Sequence, residues 1–137
     1  AAAEAMTMCS AIAGHKKHGF WASDDCHPQT LALLQTRADG LGIDLRIGPI
    51  SDIDFDHGKG GLCGLLVQYP TTDGRIEDYR EVAAKAKTHR CMTVAAADII
   101  ALTLLTPPGE WGMRIVELRL VAPTSFRMSK YWVMRMS

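Results

Sequence analysis

"LCGLLVQYPTTDGRIEDYREVAAKAKTHRCMTVAAAD", residues 62–98, decides the fold. Its two ends, "LCGLLVQY" and "CMTVAAA", are continuous apolar runs, as expected of strands covered on both faces. Between them "PTTDG" turns the chain into a helix with Ile76, Tyr79, Ala83 and Ala86 on one side. A strand, a helix and a second strand joined by short connections predict parallel pairing, with the helix crossing over one face of a sheet.

The same alternation extends upstream. Ala2, Ala5, Met6, Cys9, Ile12 and Ala13 recur at three- and four-residue steps, one face of an amphipathic helix ended by Gly14 and the basic "HKKHG". "GFWAS" reads as a short buried strand. Pro28 suits the first position of a second helix with Leu31, Leu34, Ala38 and Leu41 as its stripe, stopped by Gly40 and Gly42. "IDLRI" alternates as a half-covered strand, followed by a polar, glycine-rich loop from Gly48 to Gly61. Downstream, "IIALTLL" is a short helical stretch that "TPPGEWG" closes, because consecutive prolines cannot continue it. The pattern predicts an α/β layer with a mainly parallel sheet. Residues 113–137, "MRIVELRLVAPTSFRMSKYWVMRMS", lack a stable period, and a sound final strand is not expected from them.

A chain of 137 residues suffices for one domain with a substantial core. Fifteen basic residues balance fifteen acidic ones, which argues against nucleic acid as a partner, and no apolar stretch approaches the ~18 residues of a membrane span. The opening "AAAEAMTM" lacks an initiating Met and already reads as helix, so a fragment is expected. Cys9, Cys26, Cys63 and Cys91 have wide, irregular spacing with no CxxC pair, which favours reduced thiols over a zinc framework.

Candidate chemistry is sparse. In "DDCHPQT", residues 24–30, Cys26 and His27 are adjacent, but neighbours on a turn point apart, whereas a catalytic imidazole must face its thiol. The favoured reading is a strand-to-helix turn, with His27 or a neighbour capping the helix and Asp24 and Asp25 near its positive end. Such turns are also where open α/β sheets bind ligands. Asp52, Asp54 and Asp56 alternate as in a calcium loop, yet His57 and Cys63 stand where glycine and glutamate are needed. "GKGG" precedes a strand, and Lys59 has no Ser or Thr after it, so it is no phosphate loop. His15, His18, His57 and His89 are scattered. Asp98, ending a buried strand, is either a ligand-facing acid or the N-cap of "IIALTLL".

Several blocks taken together are more specific: "AAAEAM", "CHPQT", "TRADGLGI", "GLLVQYPTTDGRIEDY" and "ADIIALTLLTPPGEWG". In this order they resemble the N-terminal half of the glycine decarboxylase P-proteins of the glycine cleavage system, over residues 1–112. The resemblance implies part of a fold-type I pyridoxal-phosphate (aminotransferase-like) large domain. It implies a parent that decarboxylates glycine and passes the aminomethyl group to the lipoyl arm of the H-protein. That parent would be dimeric, mitochondrial in a eukaryote and cytoplasmic in a bacterium. The cofactor requires a Schiff-base lysine and an acid for its pyridine nitrogen. Lys16, Lys17, Lys59, Lys85, Lys87 and Lys130 stand outside any such motif, and alignment puts Ala95 where the acid belongs. No catalytic, cofactor-binding or metal residue is therefore carried over. The expectation is a structural segment that binds no cofactor and folds poorly alone, paired with a catalytic C-terminal half. After Gly112 only Ile115 and Val116 keep the family pattern, and 113–137 reads as a divergent tail, from a shifted reading frame or a mis-predicted exon. A stand-alone α/β binding module and a fragment of another fold-type I enzyme are the alternatives.

Overall fold

The computed structural model describes residues 1–119 and 131–134, with residues 117–119 and 131–134 described by backbone alone. Chain order is α1 (Ala2–Ile12), β1 (Gly19–Ser23), α2 (Pro28–Leu41), β2 (Asp44–Gly48), β3 (Leu62–Tyr69), α3 (Arg80–Thr88), β4 (Met92–Asp98), β5 (Ile115–Arg119) and β6 (Tyr131–Met134). The strands form one sheet in the order β2-β1-β3-β4-β5-β6. Its first five strands are parallel, and β6 runs antiparallel to β5.

All eight residues of β3 are buried, and five of seven in β4, so the two apolar runs are the covered centre of the sheet. Alternate residues feed two cores. Met6 and Cys9 of α1 and Leu34 and Ala38 of α2 pack with Phe20, Leu66 and Val94 on one face. On the other, Val82, Ala83 and Ala86 of α3 pack with Trp21, Leu65, Val67 and Ala95. Gly64 lets α1 come close: a Cβ there would sit 2.8 Å from Cys9 Sγ and 2.8 Å from the Phe20 ring.

Four expectations need correction at element ends. Leu41, the last residue of α2, is 48% exposed rather than part of a buried stripe. Ile76 is 60% exposed, because α3 begins only at Arg80 and Ile76 lies in the loop before it. Gly40 remains inside α2, and Gly42 alone ends it, in the left-handed conformation at φ 68° that glycine tolerates. "IIALTLLTPPGEW" becomes two short 3-10 turns, Ala101–Thr103 and Pro108–Trp111.

The final strand is a larger correction. Residues 115–119 pair in parallel with β4 from Val94↔Ile115 to Asp98↔Arg119. A strand slot next to a buried neighbour needs backbone pairing and one apolar residue for each face. Ile115, 1% exposed, enters the first core, and Val116, 9% exposed, the second. Lys130 and the rest of the tail beyond Arg119, apart from β6, lie outside the described residues.

Candidate functional site

From β1 the chain steps outward to β2, then crosses back to β3 on the other side of β1. The carboxyl ends of β1 and β3 therefore flank the point where strand order reverses, the usual crevice for ligands in open α/β sheets. "DDCHPQT" leaves β1 there and "PTTDGRIEDY" leaves β3.

Hydrogen bonds lock the two loops together. The Gln68 side chain, on a residue 6% exposed, accepts the His27 backbone N–H at 3.0 Å and donates to Thr72 Oγ1 at 3.3 Å. Thr72 donates its hydroxyl and its backbone N–H to the Asp25 carbonyl, at 2.6 and 3.0 Å. Arg75 then spreads its guanidinium over three carboxylates: Asp25 at 2.6 Å, and Asp73 and Glu77 at 2.7 Å each. The Tyr79 hydroxyl donates to the Gln68 carbonyl at 3.2 Å, and burial pushes that phenol well above its usual range. The Asp73 carboxyl is held down to about 2, first by the Thr71 hydroxyl and then by Arg75. The same Asp73 contact, followed by the charge of Asp25, raises the Arg75 guanidinium.

His27 occupies the N-cap position of α2, as the turn reading expects, but its side chain makes no capping hydrogen bond. Its Nδ1 instead lies 3.5 Å from Thr72 Oγ1. Asp25 turns away from the helix end toward Arg75, a full charge at 2.6 Å being a stronger partner than a partial helix charge. Cys26 is 2% exposed, in the first core. Asp98 accepts the Ile100 N–H at 3.0 Å but is not a helix N-cap, since the turn that follows starts at Ala101 with Ile100 at its N-cap and no side-chain capping bond; it also borders a cavity of about 220 Å³ shared with His27, Gln68 and Thr72. Gln68, Thr72 and Arg75 were not singled out in the sequence. The available signal was one amide-bearing residue in an otherwise apolar strand.

The other candidates stay apart. His57 Nε2 lies 3.2 Å from Asp44, His89 stacks on Phe55, and no group of three metal-ligating side chains occurs among the described residues. All four cysteines are buried, and none forms a disulfide. Desolvation lifts the Cys63 thiol to about 11 and that of Cys91 to about 12, far from nucleophilic thiolates.

The glycine cleavage system P-protein family matches residues 1–119. The chain belongs to that family. Among P-protein relatives, the mitochondrial glycine dehydrogenase (decarboxylating) of Pisum sativum is 47% identical over 116 residues, 85% of this chain and 11% of the pea protein. The Nostoc punctiforme glycine dehydrogenase (decarboxylating) is 44% identical over 115 residues, again 11% of its length. The chain thus spans about a tenth of the curated relatives it matches. A crystal structure of glycine decarboxylase (P-protein) in inhibitor-bound form superposes with a TM-score of 0.72 at 26% identity, over 85% of this chain and 26% of that one. An enzyme assigned as an O-acetylhomoserine (thiol)-lyase of Campylobacter jejuni, which carries pyridoxyl-lysine 5′-monophosphate, shares the fold at a TM-score of 0.63 and 16% identity. It is covered over 30% of its length, against 85% of this chain. The P-protein segment is accordingly part of a fold-type I large domain.

Pyridoxal phosphate does not fit the described residues of this segment. The cavity at the carboxyl edge has no lysine among its lining. Lys16, Lys17 and Lys87 border a different cavity, at the amino ends of the strands, and Lys85 pairs with Glu81. Ala95 is fully buried in the second core opposite Val67, with no carboxylate to hold a pyridinium proton.

Proposed function

We propose that this chain is a structural segment from the non-catalytic N-terminal half of a glycine-cleaving P-protein. Its parent uses pyridoxal phosphate to decarboxylate glycine and delivers the aminomethyl group to the lipoyl arm of the H-protein. The cofactor-anchoring amine comes from the C-terminal half, with which this segment pairs in a dimeric parent. The observation that carries the reading is the chemistry of the carboxyl-edge cavity: His27, Gln68, Thr72 and Asp98 border it, and no lysine does. The loops from β1 and β3 are tied to each other, so this segment would present a fixed wall to the catalytic half. The family match runs to residue 119, past the Gly112 boundary read from the sequence, and the tail beyond it is divergent, from a shifted reading frame or a mis-predicted exon, which sequencing of the transcript on both sides tests. Compartment follows the parent: mitochondrial matrix in a eukaryote, as in the pea relative, and cytoplasm in a bacterium.

The functional test is borohydride reduction of the purified chain after incubation with pyridoxal phosphate, followed by peptide mass spectrometry. Release of carbon dioxide from carboxyl-labelled glycine is measured alongside, with H-protein present. We expect only scattered, substoichiometric lysine labelling and no glycine-dependent release. A single lysine labelled to completion, or turnover by the chain unaided, overturns the assignment.

A further inference from the structure

At the end of the sheet opposite the loops that leave β1 and β3, Lys16, Lys17, Lys87, Arg90 and Arg114 border a cavity of about 510 Å³. No carboxylate lines it among the described residues, although acids and bases balance over the whole chain. The acids of the site described above, Asp25, Asp73, Glu77 and Asp98, gather at the other end.

Basic residues at helix carboxyl ends often serve only to offset the helix dipole. Lys17 does this: its ammonium donates to the carbonyls of His89 and Arg90, at 2.5 and 3.2 Å, just past α3. The remaining four cations exceed that need. Arg114 belongs to neither helix end. It enters β5, and its backbone N–H is tied to Thr93 Oγ1 at 3.0 Å and to the Thr93 carbonyl at 3.2 Å. Lys16, Lys87, Arg90 and Arg114 form no ion pair with any described residue. The floor is apolar, from Ile12, Ala83, Cys63, Cys91 and Met92. Like charges converging over low-dielectric walls focus a positive potential, which raises the local concentration of anions.

We propose that this amino-edge cavity binds a small, multiply charged anion, phosphate- or carboxylate-bearing, held by Lys16, Lys87, Arg90 and Arg114 over the apolar floor. The site is separate from the carboxyl edge and independent of the glycine chemistry of the parent. Its size admits a ligand with an organic body as well as its charged groups.

The test is calorimetric titration of the 137-residue chain with inorganic pyrophosphate and, in a parallel arm, citrate, at about 0.05 M and about 0.5 M salt. Expected is saturable one-site binding that weakens about tenfold at the higher salt. Arg114→Gln and, separately, the exposed-residue change Lys87→Gln should each weaken it about tenfold, the size of one charge-assisted contact. Lys85→Gln, which removes a cation of α3 outside the cavity, should leave it unchanged. Preference for pyrophosphate assigns a phosphorylated ligand and preference for citrate a polycarboxylate, and either supports the site. No saturable binding at millimolar anion overturns it, as does equal loss in the Lys85→Gln control. A chain with no cooperative melt both with and without anion also overturns it, since a bound ligand must stabilise the fold it recognises.

Discussion

Replacing Gln68 by Leu would sever the tie between the β1 and β3 loops while keeping almost the same volume. Gln68 is buried in the middle of the switch point and supplies the acceptor for the His27 N–H at 3.0 Å. Leucine leaves that amide without its partner, at a cost of about 1–3 kcal/mol. Thr72 loses the Gln68 donor but keeps its 2.6 Å bond to the Asp25 carbonyl, so little is added there. The extra apolar contact of leucine offsets a few tenths of a kcal/mol, leaving a net loss of about 2 kcal/mol. With a urea slope of roughly 2 kcal/mol per molar, the midpoint falls by about 1 M. Equilibrium urea unfolding, followed by tryptophan fluorescence, reads this directly, and the amide exchange of His27 should accelerate with it. A midpoint within about 0.2 M of the wild type, with His27 exchange unchanged, would refute the claim that Gln68 couples the loops.

Asp73 provides a pH test. Its carboxyl is lowered from 3.8 to about 2 in the folded chain, so its contribution is present above pH 4 and is lost as pH falls toward 2. Carbon-detected NMR should follow Asp73 titrating near pH 2, moving up toward 3.8 in Thr71→Val, and an unmoved titration would discredit the Thr71 contact. Gly64→Ala should destabilise by about 1–3 kcal/mol, because its Cβ would press into Cys9 and Phe20. Thermal melting measures the loss, and an unchanged midpoint would mean that α1 rides higher on β3. Finally, the four buried thiols should resist a disulfide reagent at pH 8 in the folded chain and all react in urea. Rapid labelling of Cys63 or Cys91 without denaturant would contradict their burial.

The alternation of helices and strands was legible because β3 and β4 are uninterrupted apolar runs, and few other structures bury such short runs so completely. The parallel order followed from the helix-length connections. Element ends were less legible: Ile76 and Leu41 continue a helical period past the residues that the sheet can cover. The candidate site was the least visible part. Arg75 meets Asp25 across fifty positions of sequence, and only the crossover from β2 to β3 makes them neighbours. Local spacing around Asp25 suggested a helix partner instead. At the tail, a search for periodicity over 25 residues diluted the two that mattered, Ile115 and Val116, which suffice to seat a strand beside β4.

The outer flank formed by β2 has a consequence for aggregation. Five residues long, it carries Asp44 and Arg46, and Pro49 follows at once. An invading chain would have to strip water from both charges, and the proline offers no N–H to extend the ladder. The sheet thus has one border that is poorly suited to templating fibrils.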